Sequence, residues 1–196
     1  PVMDGLEFTE QLKTHTATSH IPVIMLTAKN LEEQRAEGYE HGADSYITKP
    51  FHSKVLLARI ENLLKQRKLL KNVYQSSPSA EKEIEESHLD DRDKQFIKQL
   101  QSIIQKNLGD SDFGVEEIGK QIGLSRVQLY RKVKAMTGSS VVDLLRKARL
   151  AKAHRLLESR SMSISEVAYE VGFSAPSYFT KCFKDEYGIL PGDVNS

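Results

Sequence analysis

The segment from Val115 to Gly138 is written a second time from Ile164 to Gly188. VEEIGKQIGLSRVQLYRKVKAMTG matches ISEVAYEVGFSAPSYFTKCFKDEYG, with Val115 paired to Ile164, Ile118 to Val167, Ile122 to Val171, Gly123 to Gly172, Leu124 to Phe173 and Ser125 to Ser174. The offset is 49 through Ser174, and the second copy is one residue longer before its closing Gly. An internal repeat constrains a fold more than any single motif. Each copy reads as a helix, a tight turn at Gly and a second helix. Gly123 and Gly172 sit where the first helix must stop, a place that favours a left-handed backbone. Leu124 and Phe173 are expected to plug the angle between the helices, with Ser125 and Ser174 capping the second helix. That is helix-turn-helix logic. Its duplication, with Gly, plug and cap all matched, argues against a generic helical hairpin.

Between the copies, Ser140 to Glu158 reads as one helix. At 1.5 Å per residue it spans about 28 Å. Neighbouring major grooves on one face of DNA lie about 34 Å apart, so the two second helices are expected to suit adjacent grooves. Arg146, Lys147, Arg149, Lys152 and Arg155 lie on this helix, as a solvated face with some contact to phosphate. Ahead of the repeat, Asp90 to about Leu108 carries Phe96, Leu100, Ile103, Ile104 and Leu108 at helical spacing.

The N-terminal part follows a different rule. Residues 6–13 read as a short helix. IPVIMLTA, residues 21–28, is a continuous apolar run that fits a strand buried on both faces. Asn30 suits the cap of a helix running to about His41, with Gly42 as its stop. Ser45 to Thr48 is a second strand, broken by Lys49-Pro50, a cis candidate. From Ser53 a long helix runs to about Tyr74. Strand and helix in alternation predict a parallel α/β sheet. Residues 75–88, QSSPSAEKEIEESH, are polar and acidic and read as a linker. The expected domains are therefore 1–74, an α/β remnant with an extended last helix, and 89–196, all-α.

Charge supports a polyanion partner for the second domain. The chain totals +1, yet residues 115–160 hold 11 basic residues against 4 acidic ones. One Cys forms no internal disulfide, so a reducing, cytoplasmic setting is the default. The six His residues show no metal-ligand spacing. No secretory signal and no membrane-length apolar run are visible. The first residue is Pro rather than Met, so a longer protein is expected.

Residues of about 90–194 resemble the DNA-binding domain of the AraC family. The resemblance rests on IGLSRVQLYRKVKAMTG, LLRKARLAKAHRLL and EVAYEVGFSAPSYFTKCFKDEYGILP. The family continues with an aromatic and a basic residue shortly after the position of Pro191, where this chain reads GDVNS. The resemblance implies base-edge readers at Val127, Tyr130 and Arg131 in the first unit, with Arg126 nearby. In the second unit Pro176, Ser177, Thr180 and Lys181 hold the matching positions. Arg131 is the strongest candidate, because a guanidinium can bond guanine O6 and N7 together. The shorter groups of the second unit suit readout of shape and backbone. Leu129, Val133, Tyr178 and Phe183 are expected in the core, and Cys182 as a buried filler.

PVMDG, IPVIMLTAK and GADSYITKPF resemble the C-terminal part of a response-regulator receiver domain of flavodoxin-like fold. The resemblance implies that Thr27 and Lys49 contact a phosphoryl group and that Tyr46 acts as the aromatic switch. A hydroxyl and a cation converging from adjacent strand ends suit such a group. The family's acceptor Asp and its Mg²⁺-binding acidic pair lie upstream of the matched residues; Asp4 belongs to the following helix. No cofactor is expected in these residues, and Mg²⁺ only in an intact receiver. Leu56, Ile60, Leu63, Arg67, Leu70 and Tyr74 follow the alternating steps of a coiled-coil seam, which suits a homodimer.

The expected function is a sequence-specific, phosphorylation-controlled transcription regulator, the output part of a two-component phosphorelay, with the tail of a hybrid sensor kinase as one setting for it. Its expected partners are double-stranded DNA, an upstream histidine kinase and RNA polymerase. The alternative is a protein-interaction adaptor that binds no DNA, separable by a salt-dependent gel shift. No nucleophile–base set or phosphate loop suggests an enzyme.

Overall fold

The computed structural model describes residues 3–28, 41–76 and 91–194, with the side chains of 66, 67 and 69–76 left aside. The expected helix capped by Asn30, most of the linker 75–88 and the seam positions Arg67, Leu70 and Tyr74 lie outside what is described. The chain forms two compact units, Pro1–Phe96 with Arg131–Gly138, and Ile97–Tyr130 with Ser139–Ser196.

In the first unit, helix α1 (Gly5–Thr14) starts at Asp4, whose carboxylate accepts the N–H groups of Leu6 and Glu7, both at 2.9 Å. Asp4 is thus a helix cap. Strands β1 (Ile24–Thr27) and β2 (Ser45–Thr48) pair in parallel, with Ile24 opposite Ser45 and Thr27 opposite Thr48. The sequence predicts a longer first strand, Ile21 to Ala28, buried on both faces. The observed strand is four residues long and half-buried, with Leu26 exposed. Its sheet has two strands among the described residues. Tyr46 and Ile47 on β2 are buried. Lys13, buried at the end of α1, is held by Asp44 at 2.7 Å, as a buried cation requires. Helix α2 (Ser53–Ser76) leaves Val55, Leu57, Ile60 and Leu64 exposed. The peptide bond before Pro50 is cis.

Helix α3 (Asp91–Lys106) buries Asp93, Phe96, Ile97, Leu100, Ile103 and Ile104 along one stripe. After it come α4 (Val115–Ile122), α5 (Arg126–Thr137), α6 (Val141–Glu158), α7 (Ile164–Glu170), α8 (Pro176–Tyr187) and a short 3-10 turn, Pro191–Asp193. The C-terminal core of the second unit is built from α6, α7 and α8. Leu150, Ala153, Val167, Ala168, Val171, Phe179 and Phe183 are fully shielded there. Phe173, Phe179, Phe183 and Tyr187 form a chain of rings with centroids 4.7 to 5.6 Å apart, spacings suited to edge and tilted packing. After Pro191, where the sequence departs from the resemblance, the chain still closes on this core. Pro191 is buried and Val194 packs against the cluster.

Candidate nucleic-acid interface

The two repeats fold as two helix–turn–helix pairs, α4–α5 and α7–α8. In the first, Gly123 ends α4 at φ +78° and Leu124 turns inward, buried. The helices approach closely: a Cβ on Gly119 would lie 2.7 Å from the Leu124 carbonyl oxygen. Ser125 and Gln128 then cap α5 reciprocally. The Ser125 N–H donates to Gln128 Oε1 at 3.0 Å, and the Gln128 N–H to Ser125 Oγ at 3.3 Å. Leu129 and Val133 are fully buried, as their spacing predicts.

The second pair repeats the turn, with Gly172 at φ +79° and Phe173 buried. Its second helix starts differently. The sequence predicts Ser174 as the cap; the cap is Ala175, with no side-chain bond, and Pro176 is the first helical residue. Proline brings no N–H to that turn, which removes one donor that a cap would satisfy. The extra residue of the second copy is absorbed here, so beyond it the copies correspond at an offset of 50. Tyr178, predicted as core, is accordingly 55% exposed, and Phe179 is the buried counterpart of Leu129. Tyr178 leans on Phe173 at 6.0 Å. The Cys182 thiol beside its hydroxyl raises its pKa, and Arg146 acts against that. Phe183 and Cys182 are buried as predicted.

The candidate base readers lie outward. On α5, Arg126, Val127, Tyr130 and Arg131 are all exposed, Val127 by 56% and Tyr130 by 50%. They share one side of a helix at steps of one, three and one residues. Arg126 and Arg131 are in no ion pair among the described residues. On α8, Ser177 and Lys181 are exposed, and Pro176 and Thr180 are half-buried. The Thr180 hydroxyl donates to the Pro176 carbonyl at 3.0 Å.

The cations of α6 serve the protein itself more than the sequence suggests. Arg149 donates to the backbone carbonyls of Leu108 at 3.2 Å, Phe113 at 3.4 Å and Asp110. Burial lowers its pKa, and Asp110 partly offsets this. It clamps the turn after α3 rather than facing phosphate. Arg146 pairs with Asp143 at 2.8 Å, Lys147 with Glu186 at 3.4 Å and Lys152 with Glu170 at 2.9 Å. A count of basic residues over 115–160 therefore overstates the free charge. Pairing partners such as Glu170 and Glu186 lie beyond that window, which is why the count misses them.

Sequence reasoning also misses a buried cation. Lys132, next to Arg131, is fully buried and paired with Asp93 at 2.9 Å. The signal is present: Lys132 lies within the stripe of Leu129, Val133 and Met136, where a cation needs a partner.

In the receiver-like part, Thr27 and Lys49 meet at the C-terminal ends of the paired strands, where the Lys49 N–H donates to the Thr27 carbonyl at 2.6 Å. Lys49 is exposed and Tyr46 is buried. Among the described residues no group of three or more His, Cys, Asp or Glu could hold a metal ion.

Residues 118–196 match the family model of a helix-turn-helix domain, and residues 1–61 that of the response regulator receiver domain. Along its whole length the chain is 36% identical to histidine kinase P4 of Formosa agariphila, of which it spans 14%. Over 46% of the chain it is 44% identical to the transcriptional regulatory protein SrrA of Staphylococcus aureus, covering 36% of that protein. Among solved structures, the C-terminal domain of AraT, a response regulator from Geobacillus stearothermophilus, is similar at 34% identity and a TM-score of 0.48. That likeness covers 50% of this chain and 80% of AraT's domain. Among the described residues no helix is long and apolar enough to cross a membrane.

Proposed function

We infer that this chain, part of a response-regulator receiver joined to an AraC-type helix-turn-helix domain, is the DNA-binding output portion of a two-component signalling protein. One observation carries the reading: the exposed face of α5, where Arg126, Val127, Tyr130 and Arg131 stand outward on a capped helix backed by Leu129 and Val133. An apolar and an aromatic side chain beside two exposed guanidiniums suit base edges, a thymine methyl and phosphate together. Arg131 reads a guanine edge, Arg126 holds phosphate, and Val127 and Tyr130 make apolar contacts. The second unit, with Ser177, Thr180, Lys181 and Pro176, contributes backbone and shape contacts.

The histidine kinase is the source of the signal. Its phosphoryl group is received by an intact receiver, where Mg²⁺ would be held by acidic residues outside these; Thr27, Lys49 and Tyr46 relay that state. The long α2 helix joins two copies, and the DNA-bound form contacts RNA polymerase. The protein acts in the cytoplasm as a regulator rather than an enzyme.

The test is binding to a duplex that the protein selects from a random pool. The logarithm of the affinity should fall linearly with the logarithm of salt, with a slope of about 0.9 per phosphate contact, and a scrambled duplex should bind more weakly. Equal affinity for both duplexes, or none for either, would refute the reading.

A further inference from the structure

Lys132 has a second partner. Its ammonium donates to the Ser19 hydroxyl at 2.6 Å, and that hydroxyl donates to Asp93 at 2.9 Å. Lys132, Asp93 and Ser19 are all buried, and all belong to the first compact unit. The ammonium also lies 4.6 Å from the centre of the Phe96 ring, a favourable place for a cation. Ser19 precedes β1 in the receiver-like part, Asp93 opens α3, and Lys132 sits on α5. A second bond runs the same way: the Arg92 guanidinium donates to the Lys13 carbonyl at 2.8 Å.

We propose that the Ser19–Lys132–Asp93 triad is a positioning contact through which the receiver-like part holds the first recognition helix in its DNA-competent setting. A fully buried ammonium cannot be left short of acceptors without a large penalty. Asp93 supplies the countercharge, and Ser19 supplies a neutral oxygen that fixes where along the carboxylate the ammonium sits. Lys132 directly follows Arg131, so the ammonium's position sets the azimuth of the neighbouring guanidinium. The contact leaves Val127, Tyr130 and Arg131 exposed. It supports the reading face and does not cover it, so its loss weakens binding. The proposal rests on the DNA-binding reading above.

The experiment is a double-mutant cycle in the full chain, with the duplex selected by the wild-type protein as probe. Ser19→Ala should lower affinity about 5- to 20-fold, within the usual range for coupled sites, and Ser19→Thr should restore most of it. In the Lys132→Met background, where a similar volume carries no charge, Ser19→Ala should change affinity less than about twofold, since the partner is gone. Amide exchange in residues 131–137 should quicken in Ser19→Ala, with α8 unchanged. An equal effect of Ser19→Ala in both backgrounds, or unchanged affinity and exchange in Ser19→Ala, would overturn the proposal. If the wild-type protein selects no duplex, the DNA-binding reading fails and the positioning role fails with it. If it does select one and Ser19→Ala loses nothing, the positioning role alone is refuted.

Discussion

Phe179 occupies in the second helix-turn-helix pair the buried place that Leu129 occupies in the first. Both side chains are fully shielded, and both stand four residues ahead of a second buried residue, Phe183 and Val133. The two copies therefore keep one buried stripe although the second has gained a residue. Outward positions correspond in part: Arg131 and Lys181 are both exposed, whereas Tyr130 is exposed and its counterpart Thr180 is half-buried.

That correspondence assigns the reading role unequally. Arg131→Ala should cost about 1–3 kcal/mol of specific binding and relax the preference at one base pair. Lys181→Ala should weaken binding to all sequences alike and flatten the salt dependence. Competition gel shifts with single-base variants of the selected duplex check both. Unaltered base preference in Arg131→Ala would remove it from the reading face.

Gly123 and Gly172 should differ sharply when given a side chain. Both lie at positive φ, which costs an L-residue about 1–2 kcal/mol. A Cβ on Gly123 meets nothing within 4 Å, whereas one on Gly172 would run into the Leu108 carbonyl oxygen and lie 3.1 Å from Arg149. Gly123→Ala should cost only the conformational amount. Gly172→Ala should cost about 2–5 kcal/mol once overpacking is added. Urea denaturation measures both, and similar midpoints for the two variants would contradict the close approach of the chain after α3 to the second turn.

Arg149 should behave as a structural residue. Arg149→Leu strips donors from three carbonyls and should destabilise the C-terminal helices by about 2–3 kcal/mol. Arg149→Lys should recover little, since an ammonium lacks the planar fork. Thermal unfolding gives the change in Tm. A variant with native Tm but weakened DNA affinity would return Arg149 to the phosphate-contacting set.

Glu166 provides a pH test. Its carboxylate accepts the Ser163 N–H at 2.7 Å, which holds its pKa below the ordinary 4.5. A carboxyl depressed on folding stabilises above its unfolded pKa and loses that contribution as pH falls through the folded value. The start of α7 should therefore hold at about pH 5 and loosen below the ordinary 4.5, while Glu166→Gln, which keeps an acceptor, should show no such step. Carboxyl NMR titration reads the midpoint; one at or above 4.5 would contradict the capping geometry.

The receiver-like part should be the less protected. β1 pairs on one side among the described residues, and Leu26 is 42% exposed. Amides of Ile24–Thr27 should exchange faster than those of α6 around Leu150 and Ala153. Equal protection would require another strand or chain along the other edge of β1.

The repeat, the turn glycines, the plugs and the parallel strand pair are legible in the sequence because each is encoded within a few residues. Ser45 to Thr48 is legible to the residue from its flanking breakers. The contacts of Lys132 and Arg149 are not, since their partners lie 39, 41 and 113 residues away. No local pattern names a partner at that distance. Tyr178 is misplaced for a different reason: the inserted residue falls between two matched landmarks, and only the helix start at Pro176 shows on which side of Tyr178 it is absorbed. The ends of β1 are misjudged because an apolar run reports what a strand is able to bury, whereas its observed burial depends on which neighbours are present.

At the fifty-residue correspondence, Lys132 falls opposite Cys182. One station holds a cation wired to Asp93 and Ser19; its twin holds a thiol sealed in the aromatic core. The duplicated module is thus asymmetric in its wiring: at this station the first copy is tied to distant residues and the second is filled from its own core. A disturbance at Ser19 would therefore reach the second helix of the first copy through Lys132 and find no matching partner in the other copy.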